Sequence, residues 1–129
     1  TAISKLPELD RYKEIVILTD NMTQSTAEIT TATFKRFNLA KVIGATTRGW
    51  GSVENTYPIE TIIDPNEKFA LLLVNSLTLR DDNQPIEGKG VDPHIDIKNP
   101  SWKKDIENSF KSQSLIRSAT KQIQEAPLR

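Results

Sequence analysis

Two short apolar runs rich in branched side chains, Glu14-Ile15-Val16-Ile17-Leu18-Thr19 and Lys41-Val42-Ile43-Gly44-Ala45, constrain this chain more than any other feature. Runs of this kind suit strands covered on both faces, as in a parallel sheet. Between them Ile29, Ala32, Phe34 and Phe37 are spaced among polar residues at loosely helical intervals. Asp20-Asn21 is a turn signal after the first run, and Asn38 is a stop for the helix. Strand, helix and strand in that order make a βαβ unit, which calls for parallel pairing and a right-handed crossover.

Beyond Ala45 the pattern changes. Thr46 to Gly51 is a loop punctuated by Gly49 and Gly51, and two extended segments follow, Ser52 to Ile63 and Lys68 to Leu79. Asp64-Pro65-Asn66-Glu67 between them places proline where it presets φ for a type I turn, so a hairpin is predicted. Asp81-Asp82-Asn83-Gln84-Pro85 is a further turn, Gly88 and Gly90 bracket a tight passage, and a short strand is expected around Ile95 to Ile97. From Ser101 the chain reads as helical: Ser112 caps a helix with Leu115, Ile116, Ala119 and Ile123 on one face, closed by Pro127. The fold class is α/β with an antiparallel appendage. The loop-like opening, Ser4 to Asp10 around Pro7, raises the expectation that something upstream is missing.

The 129 residues fit one domain, and 17 basic residues balance 17 acidic ones. A balance of this kind does not favour nucleic acid or an anionic membrane, which demand a cationic face. Cysteine is absent, so disulfides, thiol nucleophiles and cysteine-ligated metals are excluded. His94 is the one histidine and cannot build a multi-histidine zinc site. Beside a short strand it is more readily a surface or hydrogen-bonded residue than a base. The longest apolar run, Phe69 to Val74, falls far short of a membrane span.

Ser25 stands where the first strand gives way to the helix. There the leading helical amides are unpaired and the helix dipole favours developing negative charge. An acyl-transfer oxyanion beside Ser25 could be held by the backbone N–H of Thr26. Ser25-Thr26-Ala27-Glu28 is equally an S-x-x-E capping box, in which the serine serves the helix amides and Glu28 reaches back.

Several stretches in order carry a resemblance. They are Ile15 to Asp20, Thr23-Gln24-Ser25-Thr26-Ala27-Glu28, Val42-Ile43-Gly44, Thr47-Arg48-Gly49-Trp50-Gly51-Ser52-Val53 and Gly88-Lys89-Gly90-Val91-Asp92-Pro93. The set resembles the C-terminal processing (tail-specific) and tricorn-type serine peptidases, from about Glu14 to Ile97. Those peptidases carry a small-and-hydroxyl run before a helix, a strand ending V-I-G, a T-x-G-K-G loop and a G-K-G-[IV]-x-P-D passage. The resemblance implies a crotonase/ClpP-like α/β domain, of which residues 1–129 are the C-terminal part, 14–97 the family-like core and 101–126 a helical tail. It implies Ser25 as nucleophile, an extended polypeptide as substrate, no metal or organic cofactor, and export from the cytoplasm.

Two departures qualify the match. Trp50 stands between the loop glycines where the processing proteases place their lysine base, and an indole offers no base. Tricorn-type relatives also lack that lysine. They use a histidine from the preceding half of the domain and a glutamate before the G-V-x-P passage, a place taken here by Glu87. The family's R-x-N-x-G-G loop and an upstream histidine are absent, so the missing half is expected to supply the base. Trp50, with Gly49 and Gly51, is expected to line the substrate cleft. Lys89, between its glycines, is a weaker candidate. The alternative is a non-catalytic module of the same fold that binds a peptide or apolar ligand.

Overall fold

Both apolar runs become strands, and the segment between them becomes a helix. The computed structural model describes residues 12–59 and 66–125. In chain order these form β1 (Val16–Thr19), α1 (Thr26–Arg36), β2 (Lys41–Gly44), β3 (Ser52–Pro58), β4 (Ala70–Leu77), β5 (Ile95–Asp96), α2 (Trp102–Ser109) and α3 (Gln113–Glu125). β1 and β2 pair in parallel from Val16 opposite Lys41 to Thr19 opposite Gly44. β5 adds in parallel on the far side of β2, giving the order β1-β2-β5.

The centre of this sheet is dry. Val42 and Ile43, neighbours that point to opposite faces, are both fully buried, so β2 is covered on each side. Ile43 and Ile95 pack with Ile106 and Phe110 around α2, and with Ile116 and Ile123 of α3. A second, smaller cluster joins Ala32 of α1 to Ile86 and Val91. β1 departs from the expectation of a strand covered on both faces: it is the sheet's edge among the described residues, and Leu18 remains exposed. Gly44 is obligatory where β2 ends. Its φ is +140°, and a Cβ there would lie 1.9 Å from the Thr19 carbonyl oxygen.

The helical tail divides into α2 and α3 around Phe110–Ser112. Ser112 Oγ accepts the Leu115 N–H at 3.3 Å, as the cap reading predicts. Glu14 adds a long-range brace, its carboxylate accepting the Lys111 and Ser112 N–H groups at 2.7 and 3.0 Å. Pro127 lies outside the described residues. Among those residues no helix is long and apolar enough to cross a membrane.

The predicted hairpin forms, antiparallel from Ser52 opposite Leu77 to Pro58 opposite Ala70, with a bulge between Val53 and Glu54. Ile59 N–H extends it to the Phe69 carbonyl at 3.0 Å. Asp64 and Pro65 of the predicted turn lie outside the described residues. Leu71, Leu72, Leu73 and Val74 follow one another and all are exposed, so both faces of β4 are apolar and open.

His94 is hydrogen-bonded into the sheet. Its N–H donates to the Val42 carbonyl at 2.8 Å, and its Nδ1 accepts the Val42 N–H at 3.0 Å. An Nδ1 that accepts must be unprotonated, so the fold requires the neutral ring. Burial, with Lys41 and Lys35 nearby, holds the imidazole below its ordinary value of 6.5, and Asp81 opposes them. A group depressed in the fold contributes stability fully above its unfolded value and loses it as pH falls below that value. The urea midpoint should therefore drop between about pH 7 and pH 5. His94→Asn, which keeps an acceptor but does not titrate, should remove that part of the drop; an unchanged profile would assign it to other groups.

Candidate active site

The turn from β1 into α1 is braced by Asp20. Its Oδ1 accepts the Met22 and Thr23 N–H groups, each at 2.9 Å, and Thr23 Oγ accepts the Asp20 N–H at 3.1 Å. The chain then reaches Ser25, the N-cap of α1, at φ 56° and ψ −128°. Among the described residues the other non-glycine positions at positive φ are Asn38 and Asn83, a type that tolerates this region. A serine there costs on the order of 1–3 kcal/mol. Strained strand-to-helix turns of this kind are how a nucleophilic serine is held out from a sheet. Ser25 is exposed and borders a cavity of about 290 Å³ with Trp50, Ser52, Glu54 and Glu87.

The capping-box relation between Ser25 and Glu28 is present, but no side-chain cap hydrogen bond forms. The Glu28 N–H bonds instead to the Ser25 carbonyl oxygen at 2.8 Å. The serine side chain thus occupies the capping position facing the Glu28 N–H without a side-chain cap hydrogen bond of its own.

Glu28 is completely buried, alongside Thr31 and Ala32 on one face of α1. Its Oε2 accepts the Ser25 N–H at 3.0 Å and the Trp50 N–H at 2.7 Å. Its Oε1 accepts the Gly49 N–H at 2.7 Å and the Thr47 hydroxyl. Thr47 Oγ in turn accepts the Val91 N–H at 2.7 Å, while the Thr47 N–H donates to the Val91 carbonyl at 3.2 Å. The 88–91 passage can approach this loop only as glycine: at Gly90, φ +72°, a Cβ would stand 2.2 Å from the Thr47 carbonyl oxygen. Sequence reasoning assigned Glu28 only the reach-back of a cap and gave Thr47 no role. An acid sharing a helix face with buried Thr31 and Ala32 was the available signal.

Glu87 sits on the far side of the cavity. Its Oε2 accepts the Gly51 and Ser52 N–H groups at 2.8 and 3.0 Å. The Gly88 N–H bonds to the Gly49 carbonyl at 2.9 Å, holding this passage against the glycine loop. Trp50 is 50% exposed, with the Arg48 guanidinium 4.3 Å from its ring centroid. Ser25, Trp50 and Glu87 thus share one cavity, whereas Gly49 and Gly51 are buried and are not among its lining residues. Ser52 and Glu54 join them with no signal in the sequence beyond adjacency to the loop. Lys89 points elsewhere, its Nζ 3.3 Å from Gln84 Oε1. His94 has its Nδ1 committed to Val42, so the neutral ring keeps its proton on Nε2 and offers no free base.

A larger depression of about 790 Å³ lies between Tyr12–Glu14 and the start of α3. Its serines 112, 114 and 118 have none of the backbone strain of Ser25. Among the described residues no group of three or more His, Cys, Asp or Glu side chains is arranged to hold a metal ion.

Residues 3–97 match Peptidase family S41. The chain belongs to this family. Solved structures share its fold. The photosystem II D1 C-terminal processing protease superposes with a TM-score of 0.56 at 17% identity, over 65% of this chain and 20% of that one. Mature CPAF gives a TM-score of 0.55 at 21% identity, over 91% of this chain and 22% of that one. Mature CPAF complexed with lactacystin gives 0.54 at 21% identity, over 88% and 22%. At these identities the likeness is one of fold, a mixed α/β arrangement shared with S41 proteases. This S41 chain spans about a fifth of the length of those chains. No curated protein matches it.

The backbone at Ser25 has a measurable consequence independent of chemistry. Ser25→Gly removes the strain and Ser25→Ala keeps it, so the glycine variant should be the more stable by about 1 kcal/mol in urea unfolding. Equal stabilities would mean that Ser25 is relaxed in solution.

Proposed function

We propose that this chain is the nucleophile-bearing, C-terminal part of a larger serine-peptidase domain with a crotonase/ClpP-like, tricorn-type arrangement. In this reading residues 14–97 form its core and 101–126 a helical tail. The observation that carries the reading is Ser25: an exposed serine at positive φ on a strand-to-helix turn, bordering a cavity. Family membership and the shared fold of C-terminal processing proteases support it. The substrate is an unfolded or extended polypeptide.

In this mechanism Ser25 Oγ attacks the scissile carbonyl carbon while its proton passes to a base contributed by the preceding half of the domain. The carbonyl oxygen becomes an oxyanion. Thr26 opens α1, so its N–H has no helical carbonyl four residues back and is available to that oxyanion. Collapse expels the amine, which takes the proton from the base, and leaves an acyl-enzyme on Ser25. Water, deprotonated by the same base, then releases the acid and regenerates the serine. Glu87, with Oε2 fixed by two backbone amides, orients a hydroxyl or water through its other oxygen. Trp50 forms a wall of the substrate cleft over Gly49 and Gly51. Neither a metal nor an organic cofactor enters.

The second reading is a non-catalytic module that binds a peptide or apolar ligand, and one observation favours it: a half-exposed Trp50 stands where processing proteases carry lysine. Kinetics on the full-length protein separate the two. Ser25→Ala should abolish turnover and fluorophosphonate labelling, and Glu87→Gln should lower kcat by about 100-fold with KM little changed. The isolated 129-residue chain should label slowly. Peptide binding of equal affinity in full-length wild type, Ser25→Ala and Glu87→Gln, without turnover in any, would establish the binding module.

A further inference from the structure

We infer that Glu28 is a positioning residue for the Ser25 nucleophile: its buried carboxylate joins the serine's own N–H to the loop that forms the cleft wall. A glutamate that only completes a capping box needs one reach-back bond and can stay in water. Glu28 is 0% exposed and accepts three further donors, from Thr47, Gly49 and Trp50. Each oxygen serves two donors, and each pair includes a backbone N–H.

The consequence for Ser25 is geometric. Its positive φ is a rotation about the N–Cα bond, and the N–H on that bond is held at 3.0 Å by Glu28 Oε2. The same oxygen holds the Trp50 N–H at 2.7 Å. The strained nucleophile and the cleft wall are thus indexed to one atom. Thr47, through its bond to the Val91 N–H, extends the register to the passage that follows Glu87.

Glutamine is nearly isosteric but has one acceptor oxygen and an NH₂ group. Whichever way it turns, the NH₂ meets either Ser25 and Trp50 N–H or Gly49 N–H, so no rotamer restores the arrangement. Displacement of a reacting atom by about 1 Å commonly costs on the order of 100-fold in rate. In the full-length protein Glu28→Gln should slow fluorophosphonate labelling and kcat by about that factor, with KM within about twofold of wild type. Thr31→Val, buried on the same helix face, should lower the melting temperature yet label at the wild-type rate. Glu28→Gln that folds and labels as fast as wild type overturns the inference, as does an equal slowing in Thr31→Val.

The kinetic readout rests on the peptidase reading; amide hydrogen exchange on the wild-type protein does not. The Ser25, Gly49 and Trp50 amides should exchange slowly and together. Rapid exchange at Ser25 or Trp50 in folded protein overturns the inference, even if Glu28→Gln fails to fold. Wild type that is never labelled, with those amides protected, removes the peptidase reading and leaves Glu28 as the register of the site.

Discussion

A carboxylate shut away from solvent must find its countercharge somewhere, and Glu28 has no cationic partner among the described ion pairs. An unpaired buried ion costs several kcal/mol, which only a dense set of dipoles can offset. Here the dipoles are backbone amides from segments far apart in sequence, assisted by the positive end of α1, whose first turn Glu28 occupies. The demand runs in both directions. The charge needs those amides, and the amides, lying in a loop with no strand or helix to pair with, need an acceptor. Removing either side leaves the other uncompensated.

That interdependence explains why an irregular loop can be placed as securely as a strand. β2 and β5 fix the sheet through ladders and packed isoleucines, and α1 is laid across it by Ala32 against Ile86 and Val91. The 47–51 loop has no ladder, and Ile86 is the large apolar side chain set against it, at Gly51. Its position comes from polar satisfaction: Arg48 N–H to the Thr23 carbonyl at 2.9 Å, Thr47 to Val91, and Gly51 to Glu87. Arg80 secures the neighbouring segment, with Asp92 at 2.8 Å and Asp82 at 3.1 Å. A loop held this way is fixed mainly by polar contacts and not by the apolar core.

Much of the fold was legible because it is periodic or punctuated. Branched runs gave β1 and β2, the shared face of Leu115, Ile116, Ala119 and Ile123 gave α3, and two extended segments gave the hairpin. The position of Ser25 between strand and helix was readable too. Its conformation was not, since S-x-x-E reads the same whether the serine is relaxed or forced to positive φ. Glu28 is hidden for a related reason: the local motif explains one of its bonds, and the others come from residues 19 to 22 positions away. The hydrophobicity of β1 predicts cover on both faces because it records what a strand needs, whereas Leu18 is exposed among the residues described.

The hairpin has a bearing on handling the protein that has nothing to do with its chemistry. Phe69-Ala70-Leu71-Leu72-Leu73-Val74 contains neither charge nor proline, and among the described residues β3 and β4 pair only with each other. Unprotected edges with side chains of this type are templates for cross-β stacking at about 4.7 Å spacing. Nothing along the segment acts as a gatekeeper until Lys68 on one side and Arg80 on the other. Concentrating this chain by itself therefore sets intramolecular pairing in competition with fibril growth. A lysine on the open face of β4 would shift that competition while leaving every residue around Ser25 untouched.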